Sequence, residues 1–151
     1  MATEHHFHGV LDWVGAWQGT TKDYESYSRD FQFFGEGKPV IHGSAAGPYR
    51  GNDAFSNPEE LLLVAVSSCH MLSYLAECAR SGIHVLRYLD SCTARMAFKD
   101  GRMRIVEATL RPKIEFGPDT DLETAASLHE RAHEVCFIAN SVNFPILVEV
   151  A

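Results

Sequence analysis

The sequence predicts an α+β fold, an antiparallel sheet packed on one long central helix and a second helix, in the order β-β-β-α-β-β-α-β. Three observations predict it. The stretch PEELLLVAVSSCHMLSYLAECARSG is a long apolar run with a start signal before it and a glycine at its end. Alternating apolar and polar runs flank it on both sides, and an alanine-rich helical seam follows late in the chain.

The elements follow in order. FHGVLDWVGAW, YSRDFQFF and KPVIHG are short β-rich runs separated by Gly, Lys, Asp and Pro, and they read as an antiparallel meander followed by a loop at 43–56. Asn57 suits the N-cap of the central helix, Pro58 suits the first helical position, and Glu60 completes a capping box. Gly82 ends that helix after about 25 residues. DSCTARMAF and MRIVEATLRPKIEF alternate as strands with one wet face do, and KDG between them supplies a hairpin turn. Thr120 and Glu123 form a second capping box opening a helix that runs to about Asn140, and FPILVEV closes the chain as a strand. With no repeat, linker or low-complexity tract, the 151 residues read as a single domain.

Twenty acidic against 13 basic residues give a net charge of −7, which repels a phosphate backbone and an anionic membrane surface alike. Neither nucleic acid nor membrane is an expected partner. The opening MATEHHFHGV lacks a charged segment ahead of an apolar one, and no run of about 18 residues is free of polar groups, so a soluble, cytoplasmic protein is expected.

Cys69, Cys78, Cys92 and Cys136 show neither C-x-x-C pairing nor the density of a secreted disulfide scaffold, so each thiol needs its own account. Leu62, Ala65, Cys69, Leu72 and Ala76 recur at helical spacing in the central helix. Leu122, Ala125, His129, Ala132, Cys136 and Ala139 do the same in the second. Both are packing seams rich in alanine, and if they face one another Cys69 and Cys136 can meet. Cys78 points away from Cys69, and Cys92 shares a strand face with Ala94, Met96 and Phe98; both read as small buried hydrophobes. The plain alternative for Cys69 and Cys136 is that they too are ordinary core residues.

In YSRDFQF the alternation puts Tyr27, Arg29, Phe31 and Phe33 on one face. A guanidinium against that aromatic face wants an anion, a carboxylate or a thiolate, unless it snorkels from the strand end. Glu59 is the available carboxylate, because Glu60 has the capping job. Glu59 precedes Cys69 by about 15 Å along a straight helix, so the two cannot touch unless an arginine or a second copy of the chain closes the gap.

NPEELLLVAVSSCH, with its glutamate ten positions before cysteine, and the later AHEVCFIANSV resemble the OsmC/Ohr family, the osmotically inducible and organic hydroperoxide resistance proteins. YSRDFQF, SSCHML and CFIANSV look most like an OsmC-like branch of it. The resemblance runs over nearly the whole chain and implies an OsmC-like fold in an intertwined homodimer with active sites at the subunit interface. It also implies roles: Cys69 attacks a peroxide, Cys136 resolves the sulfenic acid as a Cys69–Cys136 disulfide, and Arg29 and Glu59 hold the thiolate. The implied activity is that of a thiol peroxidase for organic hydroperoxides in oxidative-stress defence. A lipoyl protein, thioredoxin or small thiol would reset it, and no metal, flavin or haem is needed. Two departures stand out: Phe137 follows the second cysteine where the Ohr branch has proline, and the Arg29 segment lacks the glycine-rich context of Ohr proteins.

Leu62, Met71 and Leu72, with aromatics from the first strands, would make an apolar pocket favouring alkyl or lipid peroxides. Other chemistries fit less of the pattern. His129, His133 and Cys136 have ligand spacing for zinc, with His70 and Cys69 to complete the set, yet Ala125 and Ala132 on the same seam call for packing. A Cys69–His70 acyl transferase is disfavoured because adjacent helix residues diverge by about 100°. A small-molecule binding or carrier protein with incidental cysteines stays open, and peroxide turnover with a thiol reductant separates it from the enzyme.

Overall fold

A computed structural model describes residues 3–150; Met1 and Ala2, which head the stretch read for a leader, and Ala151 lie outside the described residues. Residues up to Leu61 and residues from Leu62 form two compact units.

The first unit is built on the expected meander. Strands β1 (Val10–Asp12), β2 (Phe31–Phe34) and β3 (Ile41–Gly43) form one antiparallel sheet in sequence order, with Leu11 opposite Phe33 and Phe33 opposite Ile41. The strands are shorter than the pattern suggested. WVGAW turns into a 3-10 helix at Val14–Gln18, tied back by the Gly15 N–H to the Asp30 carbonyl at 3.1 Å and by the Trp13 indole to the Ser28 carbonyl at 2.8 Å. The loop after β3 folds tightly on itself. A Cβ on Gly51 would lie 1.5 Å from the Ala45 carbonyl oxygen, so only glycine fits there.

Helix α1 (Pro58–Arg80) opens as its sequence dictates: the Glu60 N–H donates to Asn57 Oδ1 at 2.9 Å, and the Asn57 N–H donates to Glu60 Oε2 at 3.1 Å. It also closes on its signal. Gly82 takes φ of 70°, the Ile83 N–H reaches the Cys78 carbonyl at 2.9 Å and the Gly82 N–H reaches that of Ala79 at 3.3 Å, a Schellman motif.

The second unit holds two strands more than expected. β4 (Val85–Asp90) and β7 (Pro112–Phe116) pair antiparallel, while β5 (Thr93–Lys99), β6 (Arg102–Leu110) and β8 (Ile146–Val148) form a second sheet with β6 and β8 parallel. Asp100 and Gly101 make the β5–β6 turn with φ of 52° and 79°, the geometry that lets a two-residue turn follow strand twist. MRIVEATLRPKIEF breaks at Arg111: its N–H goes to Asp90 Oδ1 at 2.7 Å, and Pro112, lacking an N–H, begins the strand that pairs with β4. β4 escaped the pattern because a bulge between Val85 and Arg87 interrupts its period of two.

Helix α2 (Leu122–Val135) corrects two expectations. Its N-cap is Asp121, which accepts from the Glu123 and Thr124 N–H groups, whereas the Thr120 hydroxyl donates to the Gly117 carbonyl. Its last residue is Val135, so Cys136 caps the C-terminus instead of lying within the helix. The α1 seam is also rotated. The stripe buried in the protein is Val66, His70, Tyr74, Glu77 and Cys78, while Leu72 is 62% exposed. By length and composition α1 could cross a membrane, but this stripe is core. Tyr74, Cys78 and Ile83 pack against Ala125, Leu128 and Ala132 of α2 over β4 and β7; Val66, Ala108 and Leu110 form a second cluster reached by Cys92 and Ile146.

Candidate functional site

The α2 seam holds as read from Ala125 to Cys136. Ala125, His129, Ala132 and Cys136 are all buried, and alanine at two of these positions lets α1 come close. Cys69 and Cys136 thereby meet. Both are free thiols; Cys69 is half-buried and Cys136 is 1% exposed. Burial pushes the Cys136 thiol up to about 11, helped by its neighbour Cys69, against the backbone N–H groups of Ala139 and Ile138 that pull the other way. Anything arriving from solvent reaches Cys69 first, and Cys136 lies behind it as a protonated thiol.

Cys69 opens onto a pocket of about 450 Å³ whose walls are Leu72, Ala76, Val135 and Phe137, with Glu77 and Arg80 further along α1. The apolar lining expected from Leu62, Met71 and the first strands is thus supplied by Leu72 and by the residues flanking Cys136. Glu77 was not anticipated. It is 5% exposed, and although burial pushes its carboxyl up, hydrogen bonds from Arg131 Nε and Arg80 Nη1, both 2.6 Å, hold it below the usual carboxylate range. In the sequence it reads as a surface acid near the end of α1, because one of the two arginines that hold it comes from α2.

A pair of buried histidines, 1% and 5% exposed, joins α1 to α2. His70 Nε2 and His129 Nδ1 are 3.1 Å apart, and the His129 ring stacks on Tyr74 at 3.9 Å. His129 therefore uses the nitrogen facing α1 on another histidine. Among the described residues no three His, Cys, Asp or Glu side chains converge as a metal set. Burial lowers His129 to about 4 and lowers His70 as well, the latter helped by His133 and opposed by Asp90.

In the first unit, Arg29 and Glu59 border one concavity of about 400 Å³ with Phe31, Ala45, Tyr49 and Pro58. The aromatic setting predicted for Arg29 is present, but its partners differ. Its guanidinium donates to the carbonyls of Tyr24 and Tyr27 and lies 4.8 and 3.8 Å from the centres of their rings, so carbonyls and π faces satisfy it where an anion was expected. Among the described residues it makes no ion pair with Glu59. Cys78 lies in the first core cluster, as expected of a small hydrophobe. Cys92 sits just before β5 and partly buried beside the second cluster, while Ala94, Met96 and Phe98 are exposed.

Residues 51–151 match the family described as OsmC-like protein. The chain is similar to an OsmC-like protein of unknown function from Vibrio cholerae, with a TM-score of 0.89 and 28% identity over 98% of this chain and 100% of that one. An organic hydroperoxide resistance protein from Elizabethkingia anophelis, with thiocyanate bound, superposes with a TM-score of 0.74 at 20% identity over 100% and 99% of the two chains. One from Legionella pneumophila, described also as a predicted redox protein, gives 0.70 at 14% over 98% and 99%. These last two show the fold. No curated protein sequence matches at a significant level.

Proposed function

We propose, from the premise that this chain belongs to the OsmC-like protein family, that it is a cysteine-based peroxidase reducing organic hydroperoxides to alcohols. The observation that carries the reading is the thiol pair: half-buried Cys69 opening onto an apolar pocket, with buried Cys136 as its neighbour on the inner side. Cys69 is the attacking residue. Its thiolate bonds to one oxygen of ROOH as the O–O bond breaks; RO⁻ leaves, takes a proton and departs as ROH, leaving Cys69–SOH. The Cys136 sulfur then displaces that hydroxyl, losing its own proton, so water leaves and a Cys69–Cys136 disulfide forms. A dithiol, from a lipoyl protein, thioredoxin or a small thiol, returns both cysteines to thiols and becomes a disulfide itself.

Thiolate, not thiol, is the nucleophile, and a cationic neighbour favours it. Arg29, with Glu59 bordering the same concavity, has that role in this reading, in the same chain or the partner of a homodimer. The carbonyl and π contacts of Arg29 support a guanidinium held in place with its charge uncancelled. We place the protein in the cytoplasm, where reduced thiols persist, in defence against oxidative stress.

The deciding experiment titrates reduced protein with cumene hydroperoxide while counting free thiols. Loss of two thiols per chain at one equivalent, confined to Cys69 and Cys136, supports the mechanism. Full retention of both removes it and leaves a small-molecule binding protein of the same fold.

A further inference from the structure

A second cavity, of about 380 Å³, lies between α2 and β7 and shares no residue with the pocket at Cys69. Its walls all belong to the second unit. Tyr74 and His129, both buried, border its inner end, while Ala126 and the exposed Leu122 and Val150 border its mouth. None of these is Val64, Leu72, Phe98 or Met103, the exposed apolar residues on which a second copy of the chain would sit. His129 brings an unused nitrogen to the cavity. Its Nδ1 meets His70 Nε2 at 3.1 Å, and among the described residues neither His129 Nε2 nor His70 Nδ1 has a hydrogen-bond partner. Burial keeps both rings neutral, so the facing nitrogens share one hydrogen, and the two outer nitrogens are left as a donor at one end and a bare lone pair at the other. The two nitrogens sit on opposite sides of an imidazole. Nε2 therefore faces away from His70, and the cavity beside the ring is where a partner for it can enter.

A buried nitrogen left unpaired costs free energy that a ligand can recover. A hydroxyl is the group that fits, since it accepts from Nε2–H or donates to a bare Nε2, whichever end of the pair carries the hydrogen. A carboxylate can only accept, and it would lose water at an end of the cavity that offers it no charge. Lys113 borders the cavity too, but alternation along β7 puts Lys113 and Glu115 on the exposed face and Pro112, Ile114 and Phe116 on the inner one. Phe116 and Ile114 then give a flat apolar ring its wall. We propose that this cavity binds small phenols, with the hydroxyl on His129 Nε2 and the ring against Phe116. The site goes beyond the peroxidase reading and does not depend on it. A bound phenol also fixes which of the two imidazoles donates, and so the hydrogen-bonding state of His70, the residue that follows Cys69 on α1.

The test titrates the reduced full-length protein with phenol and with toluene, which keeps the ring and lacks the hydroxyl, while the imidazole nitrogens are followed by NMR. Phenol should bind saturably and move the nitrogen signals of His129 and His70. The phenol-to-toluene affinity ratio should fall about tenfold in His129→Phe, which keeps a ring on Tyr74 and removes the nitrogen. Ala126 is exposed on α2 at the cavity's mouth, so Ala126→Trp obstructs entry without touching the core and should abolish binding of both compounds. Alkylation of Cys69 by iodoacetamide should keep its parental rate with phenol present. No saturable binding, or a ratio that His129→Phe leaves in place, overturns the site. Phenol that slows Cys69 alkylation and still binds Ala126→Trp sits in the thiol pocket, which overturns it as well. Should His129→Phe fail to fold, the other two readouts decide: imidazole signals that stay still under saturating phenol, or binding that survives in Ala126→Trp, remove the proposal.

Discussion

His129 is 5% exposed, its ring lies flat on Tyr74, and among the described residues its one hydrogen-bonding neighbour is another buried imidazole. Burial lowers it from an ordinary value of 6.5 to about 4, so between those limits the unfolded chain binds a proton that the folded one refuses. The stability contributed by the neutral ring is therefore complete above about pH 6.5 and is lost as pH falls toward 4. From pH 7 to pH 5 the urea-unfolding free energy should drop by on the order of 2 kcal/mol more in the parent than in His70→Gln/His129→Gln, which cannot titrate there. Equal pH dependence of the two proteins would show that the pair is charged or solvated already. Arg29 carries the second residue-level prediction. Replacing it with Met keeps stem volume and removes charge, so the iodoacetamide alkylation profile of Cys69, in a Cys78/Cys92-free background, should move to higher pH and peroxide turnover should fall near neutrality. Part of the turnover should return in alkaline buffer, because thiolate is regained there and lost positioning is not. An unmoved profile would return Arg29 to a purely structural role.

At the scale of elements, the start of α1 tests whether local signals hold the helix that carries Cys69. The reciprocal Asn57–Glu60 bonds satisfy donors that the first turn would otherwise leave open, so Asn57→Ala should lower unfolding stability by about 1 kcal/mol without moving the Cys69 alkylation profile. A neutral substitution would mean that packing of Val66, His70 and Tyr74 alone sets the helix. Those start and stop signals were readable because they are local: Asn57, Pro58 and Glu60 lie together, and Gly82 acts on the turn just before it. The α2 seam was readable because its period of 3.6 survives to Cys136, one residue beyond the helix. What could not be read depends on partners distant in sequence or on broken periods. β4 hides behind its bulge, Asp121 outcompetes Thr120 for a cap either could make, and Glu77 looks like a surface acid until Arg131 arrives from another helix. Arg29 was correctly placed among aromatics, but a choice between anion and carbonyl oxygens lies in loop geometry that alternation does not encode.

For the whole molecule, the second unit exposes more large apolar side chains than a lone small protein tolerates easily: Val64 and Leu72 on α1, and Phe98 and Met103 facing each other across the β5–β6 register, are all more than half exposed. A homodimer is the outcome we predict from that face, and light scattering at micromolar concentration should give about twice the 16.8 kDa chain mass. Whether the two copies share chemistry needs a sharper measurement. Cys69→Ser removes the attacking thiol and Arg29→Met removes the cation, so each variant alone should be nearly inactive. If Arg29 serves the thiol of the partner, co-refolding the two variants produces heterodimers in which the intact Cys69 of one chain meets the intact Arg29 of the other. Random pairing makes about half the dimers mixed, each with one intact site of two, so about a quarter of parental activity should return. If Arg29 serves the thiol of its own chain, every intact Cys69 belongs to a chain that has lost its cation, and mixing returns nothing. Recovery near a quarter therefore establishes a shared site. No recovery, from a mixture that native mass spectrometry shows to contain heterodimers, confines the site to one chain, and a 16.8 kDa particle rules out the shared site altogether.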